Sequence, residues 1–262
     1  MAESIRAWRE ISGFSTIIVN GPAPSCKENP TGSRKYALAR AQPDSPALPL
    51  TLEPRFVYNQ DFRSIYAMAP GVIMLTLILI PTMLTALGVV REKEIGSITN
   101  LYASPAGVGE YLIGKQLPYA GLAMLSYLSL VGLTITLLGV PLKGSFLALS
   151  AGALLFVFDV TALGLLISAF ARTQVAAIFG TAILCLIPSV NFSGLLYPVS
   201  TLTGSSYWVG LGFPSSWFQL VSLGCFTKGL GFSSFLSIYT ALAGFALLYL
   251  MGARLLLAKQ EI

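Results

Sequence analysis

The chain contains no histidine, and that absence excludes more than any residue present. Ser–His and Cys–His catalysis and histidine-ligated metal centres all need an imidazole. The three cysteines, Cys26, Cys185 and Cys225, lie far apart, so neither a zinc-binding Cys pair nor a disulfide framework is supported. Charge is scarce as well: 10% of the 262 residues are charged, against roughly 25% in soluble domains. The 16 basic residues outnumber the 11 acidic ones but are scattered, without the clustering and interleaved aromatics of a nucleic-acid surface. Neither a metal nor a nucleic-acid partner is expected.

What the chain does have is apolar surface, at 55% hydrophobic residues. So apolar a chain cannot hide everything in one core, and it reads as an all-α integral membrane protein embedded in a lipid bilayer. Five runs reach the ~20 residues that a crossing helix needs: 67–90, 117–140, 146–170, 175–196 and 235–258. At 1.5 Å per residue, 24 residues reach about 36 Å, enough to cross with some tilt. Pro81 is expected to kink the first span and Pro188 to interrupt the fourth.

Two regions follow from the composition. Residues 1–66 hold 8 of the 16 basic and 6 of the 11 acidic residues, and seven prolines between Pro22 and Pro54 break any long helix. Their longest apolar stretch, 11–19, is too short and too polar to span, and it is a poor signal peptide. Residues 1–55 are therefore read as a poorly ordered segment, and 56–262 as the transmembrane domain.

Lys and Arg in the short loops set the orientation. With 91–116 in the cytosol, six basic residues (Arg91, Lys93, Lys115, Arg172, Arg254 and Lys259) lie inside and two (Lys143 and Lys228) outside. The N-terminus is then outside and the C-terminus inside. An external N-terminus without a signal or preceding span has no export route, so a first span is expected to be missing or supplied in a longer natural form. The outer stretch 197–234 carries Trp208, Phe213, Trp217, Phe218, Leu220 and Phe226, and Pro214 is placed to open a short helix over 215–226. Too short to cross, it reads as a re-entrant or interfacial cap, or as an ordinary aromatic belt.

The chain is organised around 91–116, where seven of 26 residues are charged or Gln while both flanking runs carry no charge. Arg91, Glu92, Lys93 and Glu94 open it, Gly96 and Ser97 follow, and Ile95, Ile98 and Tyr102 fall on one stripe of a short amphipathic helix before Pro105. Within it, Gly109 to Lys115 matches G-x-x-x-x-G-K. A phosphate loop needs Ser or Thr next, and Gln116 stands there instead, so no ATP site is read in this chain. Asp159 is the one acid deep in a span; charge there costs ~3 kcal/mol or more, so it faces a cavity or a partner. A substrate-path or proton-linked carboxylate and an acid protonated or bonded to Thr161 both fit. Asn191, near the outer end of the fourth span, lines an exit path or merely allows close helix packing.

The run MLTALGVVREKEIGSITNLYASP, followed by GKQLPY, resembles the permeases of type-2 ABC exporters, and most of all the permease half of bacterial fused ATPase–permease chains of the ribosome-associated ATPase type. The likeness continues through GVPLKGSF, LGLLIS, AAIFGTAI, FSGLLYPV and LLLAKQEI and covers about 55–262. It implies a half-transporter in the bacterial inner membrane that works as a homodimer or with a second permease. It also implies a cytosolic coupling helix after the second of six spans and an outer cap before the last. On that pattern 91–105, with Arg91, Glu92, Lys93, Glu94, Gly96, Ser97, Leu101 and Pro105, couples to an ABC ATPase. ATP and Mg²⁺ would be bound by that ATPase and no cofactor by this chain, which is then no enzyme itself. The cargo implied is amphiphilic, a drug-like compound or a lipid. The sequence departs from the family at Thr99, Leu223 and Asp159, and the family's first span is absent. A non-catalytic membrane assembly protein, or a truncated and inactive permease remnant, is the alternative reading.

Overall fold

The computed structural model describes residues 64–96, 107–195 and 204–258, and every regular element among them is helical. The long helices are α1 (Ser64–Ile95), α2 (Val108–Thr136), α3 (Phe146–Phe170), α4 (Gln174–Phe192) and α7 (Leu236–Ala258), with two short ones between the last pair, α5 (Ser205–Leu211) and α6 (Pro214–Leu223). Five helices are long and apolar enough to cross a membrane, as the sequence predicts. The segment 1–55 and the stretch carrying Ser97, Leu101 and Pro105 lie outside the described residues.

The third span is read correctly to the residue. Ser145 caps α3, its side chain accepting from the Ala148 amide at 3.5 Å, and Thr173 caps α4 by accepting from Ala176 at 3.2 Å. The other boundaries shift. α1 does not stop at Val90 but runs on through all four charges to Ile95. Gly96, at φ 74°, then ends it in the left-handed conformation that glycine adopts without strain. α2 starts at Val108 rather than 117, with Glu110 accepting from the Gly107 amide at 3.2 Å, and it ends at Thr136 rather than 140. The G-x-x-x-x-G-K stretch is thus helical and forms no phosphate-cradling loop. α4 begins one residue early and ends at Phe192, and it is continuous through Pro188 rather than interrupted; α1 likewise continues through Pro70 and Pro81.

α3 is the central helix. It packs most extensively on α7 and α1, and Gly164 makes the α1 crossing possible: a Cβ there would sit 2.5 Å from the Thr82 carbonyl oxygen and 2.9 Å from the Thr85 Cβ. Tyr239 of α7 donates to the Ala148 carbonyl at 2.7 Å. α6 opens with Pro214 at its first turn and lies among α1, α3 and α7, with 214–222 buried throughout. The expected outer segment is therefore a helix inserted into one end of the bundle. Phe218 stacks on Phe156 of α3 with ring centres 4.4 Å apart, Ser216 donates to the last carbonyl of α4 at 3.2 Å, and Ser222 donates to the Pro70 carbonyl at 3.5 Å. A π-helical turn, Gly224–Lys228, continues it, and Gly144 donates to the Cys225 carbonyl at 2.8 Å.

Adding one methyl at Gly164 is expected to destabilise the bundle by about 1–3 kcal/mol, because the obstacle is backbone and cannot swing aside. Gly180→Ala, on the open face of α4 with nothing within 4 Å, is the control. Thermal unfolding in detergent should separate them, with Gly164→Ala several degrees lower and Gly180→Ala at the wild-type value.

Candidate functional site

The end of the bundle opposite α6 collects the charge. Successive residues leave a helix about 100° apart, so four charged neighbours in the last turn of α1 point in four directions. Three of them reach different helices. Glu92 turns to α2, where it accepts from the Tyr111 hydroxyl at 2.6 Å and forms an ion pair with Lys115 one turn further on. The Lys115 ammonium also lies 5.9 Å from the centre of the Tyr111 ring. Lys93 turns to α3 and donates to the carbonyls of Ser168 at 2.8 Å and Ala169 at 3.5 Å, in that helix's last turn. Glu94 turns to α4 and accepts from the Gln174 amide at 2.7 Å and from its side-chain amide.

Each charge has the sign that its target prefers. Carbonyls left without helical donors make the end of α3 negative, and a lysine fits there; free amides make the start of α4 positive, and a glutamate fits there. Arg91, the fourth charge, is exposed. On the next helix face, Gln116 of α2 donates to the Phe158 carbonyl at 2.9 Å and to Thr161 at 3.1 Å, which ties α2 to α3 at least two turns deeper. The Arg254 guanidinium of α7 lies 3.8 Å from where a Cβ on Gly109 would sit, so the end of α7 meets the start of α2 at this same end.

The sequence groups Arg91, Glu92, Lys93, Glu94 and Gly96 with the short segment after them. The fold instead makes the four charges the closing turn of α1 and Gly96 its stop. Their partners Tyr111, Lys115, Ser168, Ala169 and Gln174 were not singled out as a set, because pairing between helices leaves no local pattern. Lys115 alone carries a signal, as one of the six basic residues that set the orientation.

The two residues assigned to a substrate path are not brought together. Asp159 is fully buried, about 20 Å along α3 from its Phe146 end. Asn191 is in the last turn of α4, exposed, with its side chain donating to the Ile187 carbonyl at 2.9 Å. Nor is Asp159 bonded to Thr161, whose hydroxyl donates to the Val157 carbonyl at 2.7 Å.

Five membrane-crossing helices, a helix inserted at one end and a charge-clamped turn at the other define a multi-span helical membrane protein with no catalytic side-chain arrangement among the described residues. Comparison with known proteins gives the family: residues 28–255 match the family described as ABC-2 family transporter protein, and the chain belongs to it. The family is one of membrane transport proteins, as the resemblance of the 91–116 stretch implies. It is 30% identical over 153 residues to the Escherichia coli K12 protein named probable multidrug ABC transporter permease YbhS, covering 58% of this chain and 41% of that one. It is 27% identical over 228 residues to the inner membrane transport permease YhhJ of the same strain, covering 84% of this chain and 56% of that one. ABC transporter G family member 20 of Dictyostelium discoideum is 26% identical over 172 residues, covering 65% and 23% respectively. The chain spans about half the length of the bacterial relatives it matches. No solved structure matches.

Removing the Lys93 charge at constant bulk, Lys93→Met, is expected to destabilise the bundle by about 1–2 kcal/mol, because the partly buried end of α3 loses its cation. Arg91→Met, one residue earlier on the exposed face, should stay within about 0.5 kcal/mol. Denaturant unfolding of the two variants followed by circular dichroism checks the difference.

Proposed function

We propose that the chain is the membrane-spanning part of an ATP-driven exporter, moved by an ABC ATPase that is either a separate chain or another part of a longer one. ATP and Mg²⁺ are bound and hydrolysed there. The permease works as a homodimer or paired with a second permease, in a bacterial inner membrane, with its charged end towards the cytosol. The cargo is amphiphilic. That orientation is supported by the six basic residues assigned to the charged end of the sequence against two at the other. A multidrug cargo and an inner-membrane location are what the printed names of two bacterial relatives state of those proteins.

One observation carries the coupling role. The last turn of α1 holds the ends of α2, α3 and α4 through Glu92, Lys93 and Glu94. The chain leaves that turn at Gly96 and runs directly into the segment with Ser97, Leu101 and Pro105. A push on that segment is delivered to a turn gripping three other helices, so it moves the bundle rather than one helix. An ATPase needs such an input, because hydrolysis happens outside the membrane and access changes within it.

Co-purification of the chain with an ABC ATPase tests the first half of the reading; a chain that never brings one down contradicts it. Gly96→Pro tests the second. Proline cannot take φ 74° or donate the Gly96 amide to the Lys93 carbonyl, so the turn between α1 and the following segment is broken. The variant should insert and bind the ATPase normally, yet lose at least tenfold of its stimulation of ATP hydrolysis. Full stimulation would show that force does not enter through this turn.

A further inference from the structure

Asp159 stands halfway along α3, fully buried, and neither of its carboxyl oxygens has a hydrogen-bond partner among the described residues. α3 turns it towards α7. Gly152, about two turns before it, packs on Tyr239, and Leu166, two turns after it, packs on Gly252. Between those contacts, on the stretch of α7 that faces α3, lies Tyr249, itself buried. Asp159 thus lies in the apolar middle of the bundle, one turn along α3 from Phe156, whose ring stacks on Phe218 of α6. Among the described residues, no cationic side chain serves the carboxylate. Lys93 and Lys115 are engaged at the charged end, and α1 up to Val90, α4 and α7 up to Ala253 carry no charge at all.

We propose that Asp159 and Tyr249 form the subsite for the charged head of an organic cation, a quaternary ammonium or its like carried on an apolar body. The proposal rests on the export reading for the route of that cargo. A carboxyl in a hydrocarbon interior is either held protonated or ionised against a counter-charge; no cation among the described residues reaches this one, and a bound organic cation would supply it. An aromatic ring beside the carboxylate adds the quadrupole attraction that cations with buried charge use. The alternatives fit less well. A hard metal ion needs about six oxygens, and one carboxylate with one phenol does not supply them. A neutral polar ligand would need hydrogen-bond donors and acceptors arranged around it, whereas a quaternary ammonium needs only a negative partner and an apolar wall. The residues within one turn of Asp159 on α3, Phe156, Val160 and Leu163, are buried and apolar, as the body of such a cargo requires.

The test uses the purified full chain in phosphatidylcholine nanodiscs, with ethidium as the cationic probe and Nile red as a neutral one. Ethidium should bind the wild type, bind Asp159→Asn at least tenfold more weakly, and bind Asp159→Glu within a few fold of wild type; Tyr249→Leu should weaken it several-fold. Nile red binding should be the same in all four proteins, which a merely structural role for Asp159 would not give. A second measurement needs no variant: dicyclohexylcarbodiimide should modify Asp159 in the wild type, read by peptide mass, and ethidium but not Nile red should protect it. Wild type that binds no ethidium, Asp159→Asn that binds it undiminished, or carbodiimide modification that ethidium leaves unchanged would each overturn the proposal. Neither measurement involves an ATPase, so this subsite and the coupling reading stand or fall separately.

Discussion

Glu92, Lys93 and Glu94 occupy consecutive positions of one helical turn, and each ends on a different helix. The rest of this end of the bundle depends on that arrangement. Within a membrane, apolar side chains gain little by leaving lipid for one another, so helices are placed by close packing and by the few polar contacts available. Here Lys93 and Glu94 are directed at helix termini, where unpaired amides and carbonyls are concentrated, and Glu92 at side chains in the first turns of α2. An ion pair on a soluble surface contributes little; the same charges set against part-buried helix ends meet less screening and more fixed partial charge. The consequence is mechanical. α2, α3 and α4 are indexed to the end of α1, so their relative positions at this end follow from where α1 goes.

The opposite end is built on another principle. α6 is short and buried on all sides, and its stability comes from ring stacking at Phe156–Phe218 and from hydroxyls that reach carbonyls of neighbouring helices. Its close backbone approach to the start of α3 needs Gly144, where a Cβ would lie 2.9 Å from the Cys225 Cα. One end is thus held by charges on a single turn and the other by a packed plug. Between them lies α3 with Asp159, the only carboxyl among the described residues that is deep in the bundle.

Much of this fold is legible in the sequence, for local reasons. The α3 boundaries follow from Ser145 as a cap and from an apolar run that stops before Arg172; Pro214 announces the start of α6. The misread boundaries have one cause. Charge after Val90 and before Leu117 suggests the end of one span and the beginning of the next, yet nothing in 91–95 breaks a helix and Gly96 is the first residue that does. The charges persist in the helix because Tyr111, Lys115, Ser168 and Gln174 meet them, and contacts between residues 19 to 80 positions apart have no local signature. The burial of α6 was hidden for a related reason, since Ser215, Ser216, Gln219 and Ser222 look like surface residues and are almost wholly enclosed. Asp159 was visible as an isolated acid, whereas Tyr249 beside it was one apolar-run tyrosine among several.

The claim on which these points turn is that the closing turn of α1 sets the positions of the other helix ends around it. Electron–electron distance measurements test it most directly, with spin labels at Glu110 and Val175 for the charged end and at Phe146 and Leu236 for the plugged end. Replacing Glu92, Lys93 and Glu94 together by Gln, Met and Gln should broaden and shift the first distance while leaving the second unchanged. An unaltered distance between labels at 110 and 175 in that triple variant would contradict the account.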